Sequence, residues 1–188
     1  MITIDELKKL GGTIKYTPVG VIRVEFSKTQ MYHFFSVHAP AIIADNIHTH
    51  PHSFVSKVIK GGIRNHIYRV DDSEPETDYC VRSILFRVPL TKNDGTKTAA
   101  IVRENVSYEK TVTFDTYEGR EYQINKSTMH MIDILEPKTI TLLTCDPYIG
   151  ASPETYFVMG KDVSYTKEQL HNTKTKAECW EIVADTLA

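Results

Sequence analysis

Three of the eight histidines stand at alternating positions in the run Asp45-Asn46-Ile47-His48-Thr49-His50-Pro51-His52. The segment that follows, Phe54 to Ile59, is rich in β-branched and apolar residues and stops at Gly61-Gly62, the pattern of a strand ending in a turn. On a strand, positions two apart share a face, so His48 and His50 are expected to project into the same space. Two neutral imidazoles on one face begin a transition-metal site, because imidazole suits Fe, Zn, Cu and Ni. Pro51 interrupts the alternation, which leaves three readings for His52: a fourth ligand, a group supporting a ligand, or a solvated loop residue. The next segment, Ile63 to Val70, carries Arg64, His66 and Tyr68. Arg64 as an anion anchor and Tyr68 as an acid/base hydroxyl are the candidate catalytic groups, while His66 either lines the same cavity or is an ordinary half-buried histidine.

His48-x-His50, followed about ten residues later by Gly61-Gly62, resembles the first motif of the cupin superfamily, which has two His, then a Glu, then a Gly at a turn. The stretch Gly119-Arg-Glu-Tyr-Gln-Ile-Asn125-Lys-Ser127-Thr-Met-His130 has the shape of the second cupin motif, which ends in a third His. The resemblance covers roughly residues 42–143 and implies a jelly-roll barrel with His130 as the third ligand. The motif Glu would fall near Phe54 or Val55, and no carboxylate stands there. What remains is similar to the three-His subset, found in cupin thiol dioxygenases and some ring-cleaving dioxygenases. The metal set expected is therefore His48, His50 and His130, with His52 as the further candidate. Asp133 is a poor orienting partner for His130, since a regular strand turns it to the opposite face.

Three imidazoles carry no charge, so a divalent ion held by them keeps its full positive charge and has coordination positions left over. Such a centre suits an anionic chelating substrate, whereas structural zinc sites are usually closed by four protein ligands. The expectation is a metal-dependent enzyme, most concretely an Fe(II) dioxygenase of a small anionic substrate, with Zn, Mn or Ni as other metals such a site accepts. A non-oxidative isomerase or lyase, and a module that holds a small ligand without turnover, are the competing readings. Cupins commonly form homodimers, and the resemblance implies one here.

The elements that must position these residues are mostly strands. Thr3-x-x-Glu6 has the capping-box pattern and Gly11-Gly12 follows Leu10, so a helix is expected over residues 4–10. Val21–Phe26 alternates as a half-buried strand, and Met31–Val37 is aromatic and β-rich. Residues 63–70 are expected to pair with the histidine strand as a hairpin. Residues 71–78 read as an acidic loop, Val81–Leu90 as a strand with Arg82 and Arg87 at its edge, and Asn93-Asp94-Gly95 as a turn. Two strands are expected over 98–108 and 109–117, then others at Arg120–Ile124, Met129–Leu135, Thr139–Thr144 and Thr155–Met159. Thr166-x-x-Gln169 is a weak helix start, and Thr175-x-x-Glu178 precedes Trp180, Val183 and Leu187 at helical spacing. His33 and His38 read as structural, His171 as a solvated helix residue, and Cys80 and Cys145 as buried inert thiols.

About ten short strands with frequent turns define an all-β sandwich or barrel, in agreement with the jelly-roll resemblance. One domain spans 1–188, with a core of about 14–160 and a helical extension over 166–188. Hydrophobic content of 41%, charged content of 24% and a net charge of −2 are ordinary for a globular protein. They predict no nucleic-acid or anionic-membrane partner; the small-molecule substrate is what the cupin resemblance implies. Three cysteines without CxxC spacing and an N-terminus lacking a signal pattern point to the cytoplasm.

Overall fold

A computed structural model describes residues 2–17, 19–39, 47–71, 83–89, 100–147, 154–160 and 174–188. Cys80, Arg82, His171, the 72–78 acidic stretch, the Asn93–Gly95 turn and the Thr166–Gln169 helix start lie outside the described residues. Twelve strands and two helices are described. They are α1 (Ile4–Lys9), β1 (Thr13–Thr17), β2 (Val21–Glu25), β3 (Gln30–Ser36), β4 (Ile47–His48), β5 (Phe54–Lys60) and β6 (Gly62–Asp71). β7 (Ser83–Pro89), β8 (Ala100–Tyr117), β9 (Glu121–Ile124), β10 (Met129–Ile134), β11 (Lys138–Cys145), β12 (Glu154–Gly160) and α2 (Lys176–Leu187) follow. The fold is all-β, as expected, and its strands form two antiparallel sheets. One is six-stranded, in the order β1-β2-β3-β11-β5-β9; the other closes on itself as β10-β4-β12-β7-β8-β6.

Three sequence expectations are corrected. β5 and β6 are not a hairpin, because β5 pairs with β11 and β9 while β6 pairs with β8 and β10. Gly61, at φ 79°, turns the chain from one sheet to the other. A Cβ at Gly61 would lie 2.5 Å from Thr139 Oγ1, so the crossing needs both the positive φ and the missing side chain. The strands expected over 98–108 and 109–117 are one strand of 18 residues, β8. The histidine segment is not one strand either: β4 stops at His48 and β5 starts at Phe54, because Pro51 lacks the N–H a ladder needs.

The six-stranded sheet is covered on one face by both helices. Ile22, Val24, Phe34 and Ile140 pack there against Leu7 of α1 and Cys179, Ile182 and Val183 of α2. Each helix begins with a full capping box, Thr3 with Glu6 and Thr175 with Glu178. The last turn of α2 has no basic residue of its own; the sheet supplies two. Lys138 Nζ donates to the Asp185 carbonyl at 2.7 Å and Lys60 Nζ to that of Thr186 at 3.1 Å, serving the open carbonyls at the negative helix end. The opposite face of the same sheet looks toward the closed sheet. Phe54, Ile124, Leu143 and Cys145 form one apolar cluster there, and Val21, Phe35 and Ile63 form another.

Candidate metal centre

His48 and His130 are direct cross-strand partners, the residues at which β4 and β10 meet. In an antiparallel pair such residues share a face with Cβ atoms about 5 Å apart. His50 lies just beyond β4, in the segment that carries the chain to β5. Its backbone N–H donates to the Lys126 carbonyl at 3.3 Å, and Lys126 N–H donates to Ser53 Oγ at 3.1 Å. These bonds tie the histidine segment to the turn that leads into β10. His50 thus reaches His48's space although the two do not share a strand.

Ring centroids of His48 and His50 are 4.7 Å apart, those of His48 and His130 4.9 Å, and those of His50 and His130 5.0 Å. One ring nitrogen from each of the three lies within 4.8 Å of the other two. His50 Nε2 and His130 Nε2 are 2.8 Å apart. Two nitrogens bound to one ion by ~2.1 Å bonds at right angles sit ~3 Å apart, so a shared ion fits between them with little movement. His130 is buried, and burial together with the neighbouring His48 holds its pKa down at about 3. Burial, then His48 and His130, push His50 well below the usual histidine range. Both rings are neutral at pH 7 and keep the lone pair a metal needs.

Asn65, fully buried on β6, fixes which nitrogen that is. Its Oδ1 faces His130 Nδ1 at 3.4 Å. An amide oxygen can only accept, so Nδ1 carries the proton and Nε2 carries the lone pair directed at His50. Phe54 packs edge-on to His50, with centroids 4.8 Å apart, and lies 6.2 Å from His130. An aromatic wall therefore takes that flank of the cluster. The residues present therefore fit a divalent ion bound by three neutral donors.

His52 contributes no nitrogen to the cluster; burial lowers its pKa, and Asp146 raises it. His66 turns the other way: Nε2–H donates to Asp133 at 2.7 Å, and Nδ1 meets the Thr113 hydroxyl at 3.0 Å. Asp133 is on the outward side of β10, as its odd spacing from His130 dictates. Arg64 is on that outer side too, in a two-pronged pair with Asp115 at 2.7 and 2.9 Å. Tyr68 is the cross-strand partner of Met129, the neighbour of His130, and its ring packs against Tyr108. Neighbouring strand residues point opposite ways, so neither Arg64 nor Tyr68 is brought to the imidazoles.

Sequence reasoning missed Asn65 and the inward side of β2 and β3. Arg23 and His33 are cross-strand partners there. The signal available was the alternation of β2, whose polar residues lie on the face away from the helices and are only partly exposed.

No protein-family model matches the sequence, and no curated protein matches it. Among solved structures, hydroquinone 1,2-dioxygenase from Sphingomonas sp. TTNP3, with 4-hydroxybenzoate bound, is similar at 11% identity and a TM-score of 0.34. That match covers 63% of this chain and 60% of that one. Among the described residues, no helix is long and apolar enough to cross a membrane.

Proposed function

We propose that this protein is a metal-dependent, cupin-like enzyme in which His48, His50 and His130 hold Fe(II), and that it acts as a dioxygenase on a small anionic substrate. The observation that carries the reading is the convergence of three ring nitrogens, from segments 80 positions apart in the chain, within 4.8 Å. A divalent ion there would supply Lewis acidity and a place for dioxygen and substrate together. The chain's own residues do the rest. Asn65 keeps the proton of His130 on Nδ1, so Nε2 faces the ion. Phe54 and the apolar cluster around it exclude water from one flank. The lack of a carboxylate among the three donors leaves the ion's charge available to an anion.

Anaerobic reconstitution of the full chain with Fe(II), and separately with Co(II), tests this. One equivalent of metal is expected, with Co(II) showing the weak visible bands of a five- or six-coordinate ion. The His48→Ala and His130→Ala variants are expected to hold almost none. Co(II) bands that stay unchanged on adding azide or acetate would point to a closed site with no open position and remove the enzymatic reading. Oxygen uptake by the Fe(II) form over a panel of small carboxylates, phenolates and thiols then separates dioxygenase from isomerase or lyase.

A further inference from the structure

Arg23, His33 and Thr141 form one row across three adjacent strands: Arg23 pairs with His33 between β2 and β3, and His33 pairs with Thr141 between β3 and β11. Each has a polar atom shut off from water with no hydrogen-bond partner: Arg23 Nε, His33 Nε2 and Thr141 Oγ1. Thr141 is fully buried. Orphaned buried polar atoms are rare in native proteins, and each needs an explanation. Three consecutive ones in a single row need a common explanation.

The row faces the space between the sheets. Thr141 and Leu143 alternate with Ile140 and Leu142 along β11, and Ile140 packs on the helix side. Thr141 is opposite Val58, and Leu143 opposite Ser56, two residues beyond Phe54's position on β5. The row also reaches the imidazoles: His33 is close enough to His50 to contribute to the lowering of its pKa, and Arg23 acts in the same way on His33. Arg23 lies near Cys145, the cross-strand partner of Phe54, whose ring packs on His50.

We propose that Arg23, His33 and Thr141 form the subsite that takes the carboxylate of the substrate, next to the three-histidine centre. This deepens the functional reading above and rests on it for what the bound molecule meets at its other end. Arg23 NH2 is engaged by Glu25 Oε1 at 2.7 Å, while its Nε–H has no partner. Glu25 is itself paired with Lys15 at 3.0 Å, so two cations share one carboxylate and a positive charge remains for a ligand. The Arg23 Nε–H, the Thr141 hydroxyl and, in the Nε2–H tautomer, His33 are donors, and with one net charge they match a singly charged, two-oxygen group. A phosphate dianion would require more cationic partners. The Arg23 side chain is 33% exposed, so the row opens to solvent at that end and an anion can enter past it.

The test uses the full chain, freed of metal, titrated with acetate and with benzoate while the ring signals of His33 are followed by NMR. A saturable shift is expected that chloride does not produce. Arg23→Gln is expected to weaken it tenfold or more and Thr141→Val several-fold, while Arg69→Gln, on an exposed strand position, leaves it unchanged. Tighter binding of inorganic phosphate than of either carboxylate would overturn the assignment, as would equal binding by Arg23→Gln. Co(II) binding by the same samples separates the two readings. If Co(II) binds normally while no carboxylate does, the subsite is wrong and the metal centre stands. If carboxylate binds while Co(II) does not, the subsite stands and the proposed enzyme falls.

Discussion

A metal ligand is only as good as the group that sets its proton, and here that group is Asn65. Its oxygen can accept from His130 Nδ1 and can do nothing else. Removing it leaves a buried N–H unpaired, a loss of about 1–3 kcal/mol, and frees the ring to put its proton on the liganding nitrogen. Asn65→Leu is expected to weaken Co(II) binding roughly 10- to 100-fold, read by competition with a chelator, whereas Asn65→Asp, which still accepts at that atom, retains most of it. Equal loss in both variants would assign Asn65 to packing alone. His33 allows a second test at the same scale. Burial, reinforced by Arg23, holds its pKa at about 3, against 6.5 for an ordinary histidine. The unfolded chain therefore binds the extra proton first. The stability that neutral His33 contributes is complete above pH 6.5 and is lost as pH falls toward 3. Within that window one such histidine adds a slope of about 1.4 kcal/mol per pH unit. Denaturant titrations at pH 4, 5 and 6 should show His33→Gln with a slope shallower by close to one proton. An unchanged slope would mean that the ring is not buried neutral.

At the scale of the element, the crossing at Gly61 decides which sheet each strand enters. Gly61 and Gly119 both have positive φ, at 79° and 80°, but their surroundings differ. A Cβ at Gly61 would meet Thr139 Oγ1 at 2.5 Å and the Lys138 carbonyl at 3.1 Å, whereas at Gly119 nothing lies within 4 Å. Gly119→Ala should therefore cost only the left-handed backbone penalty, about 1–2 kcal/mol, and Gly61→Ala distinctly more, both measured by urea unfolding. Equal values would mean that the β5–β6 turn yields without strain. The same turn shows where sequence reading ran out. Gly61-Gly62 announces a turn, but nothing local says that the strands it joins part company instead of pairing. Strand positions are legible because alternation is local: β2, β3, β9, β10 and β11 fall within a residue or two of their expected bounds. β1 alternates Ile14 and Tyr16 with polar neighbours, but two apolar positions in five residues are too short a run to stand out. The three-His convergence was legible through motif spacing, since His48 and His130 are tied by register. Asn65 and the Arg23–His33–Thr141 row were not, because their meaning depends on what lies across the interior.

At the scale of the whole molecule, the imidazole cluster sits where the two sheets are joined. His48 and His130 belong to the closed sheet, and His50 belongs to the link that leads into β5 of the six-stranded one. An ion held by all three would cross-link that junction in the folded state only. Such binding stabilises by mass action, about 2.7 kcal/mol at a free-ion concentration a hundred times the Kd. For a chain of this size each kcal/mol moves Tm by roughly 2–4 °C, so Co(II) at that level should raise the Tm of the chelator-stripped protein by roughly 5–11 °C. Each further tenfold increase in free ion should add about 1.4 kcal/mol, because the stabilisation is logarithmic in concentration. In His48→Ala/His50→Ala one imidazole remains, and the dependence on ion concentration should vanish even if the variant's own Tm is lower. The slope against ion concentration, rather than any single Tm, is the informative quantity, since a lower Tm alone could follow from lost packing on Phe54. A double variant that keeps the wild-type slope would place the ion elsewhere in the chain and leave the three histidines as a buried hydrogen-bonded group.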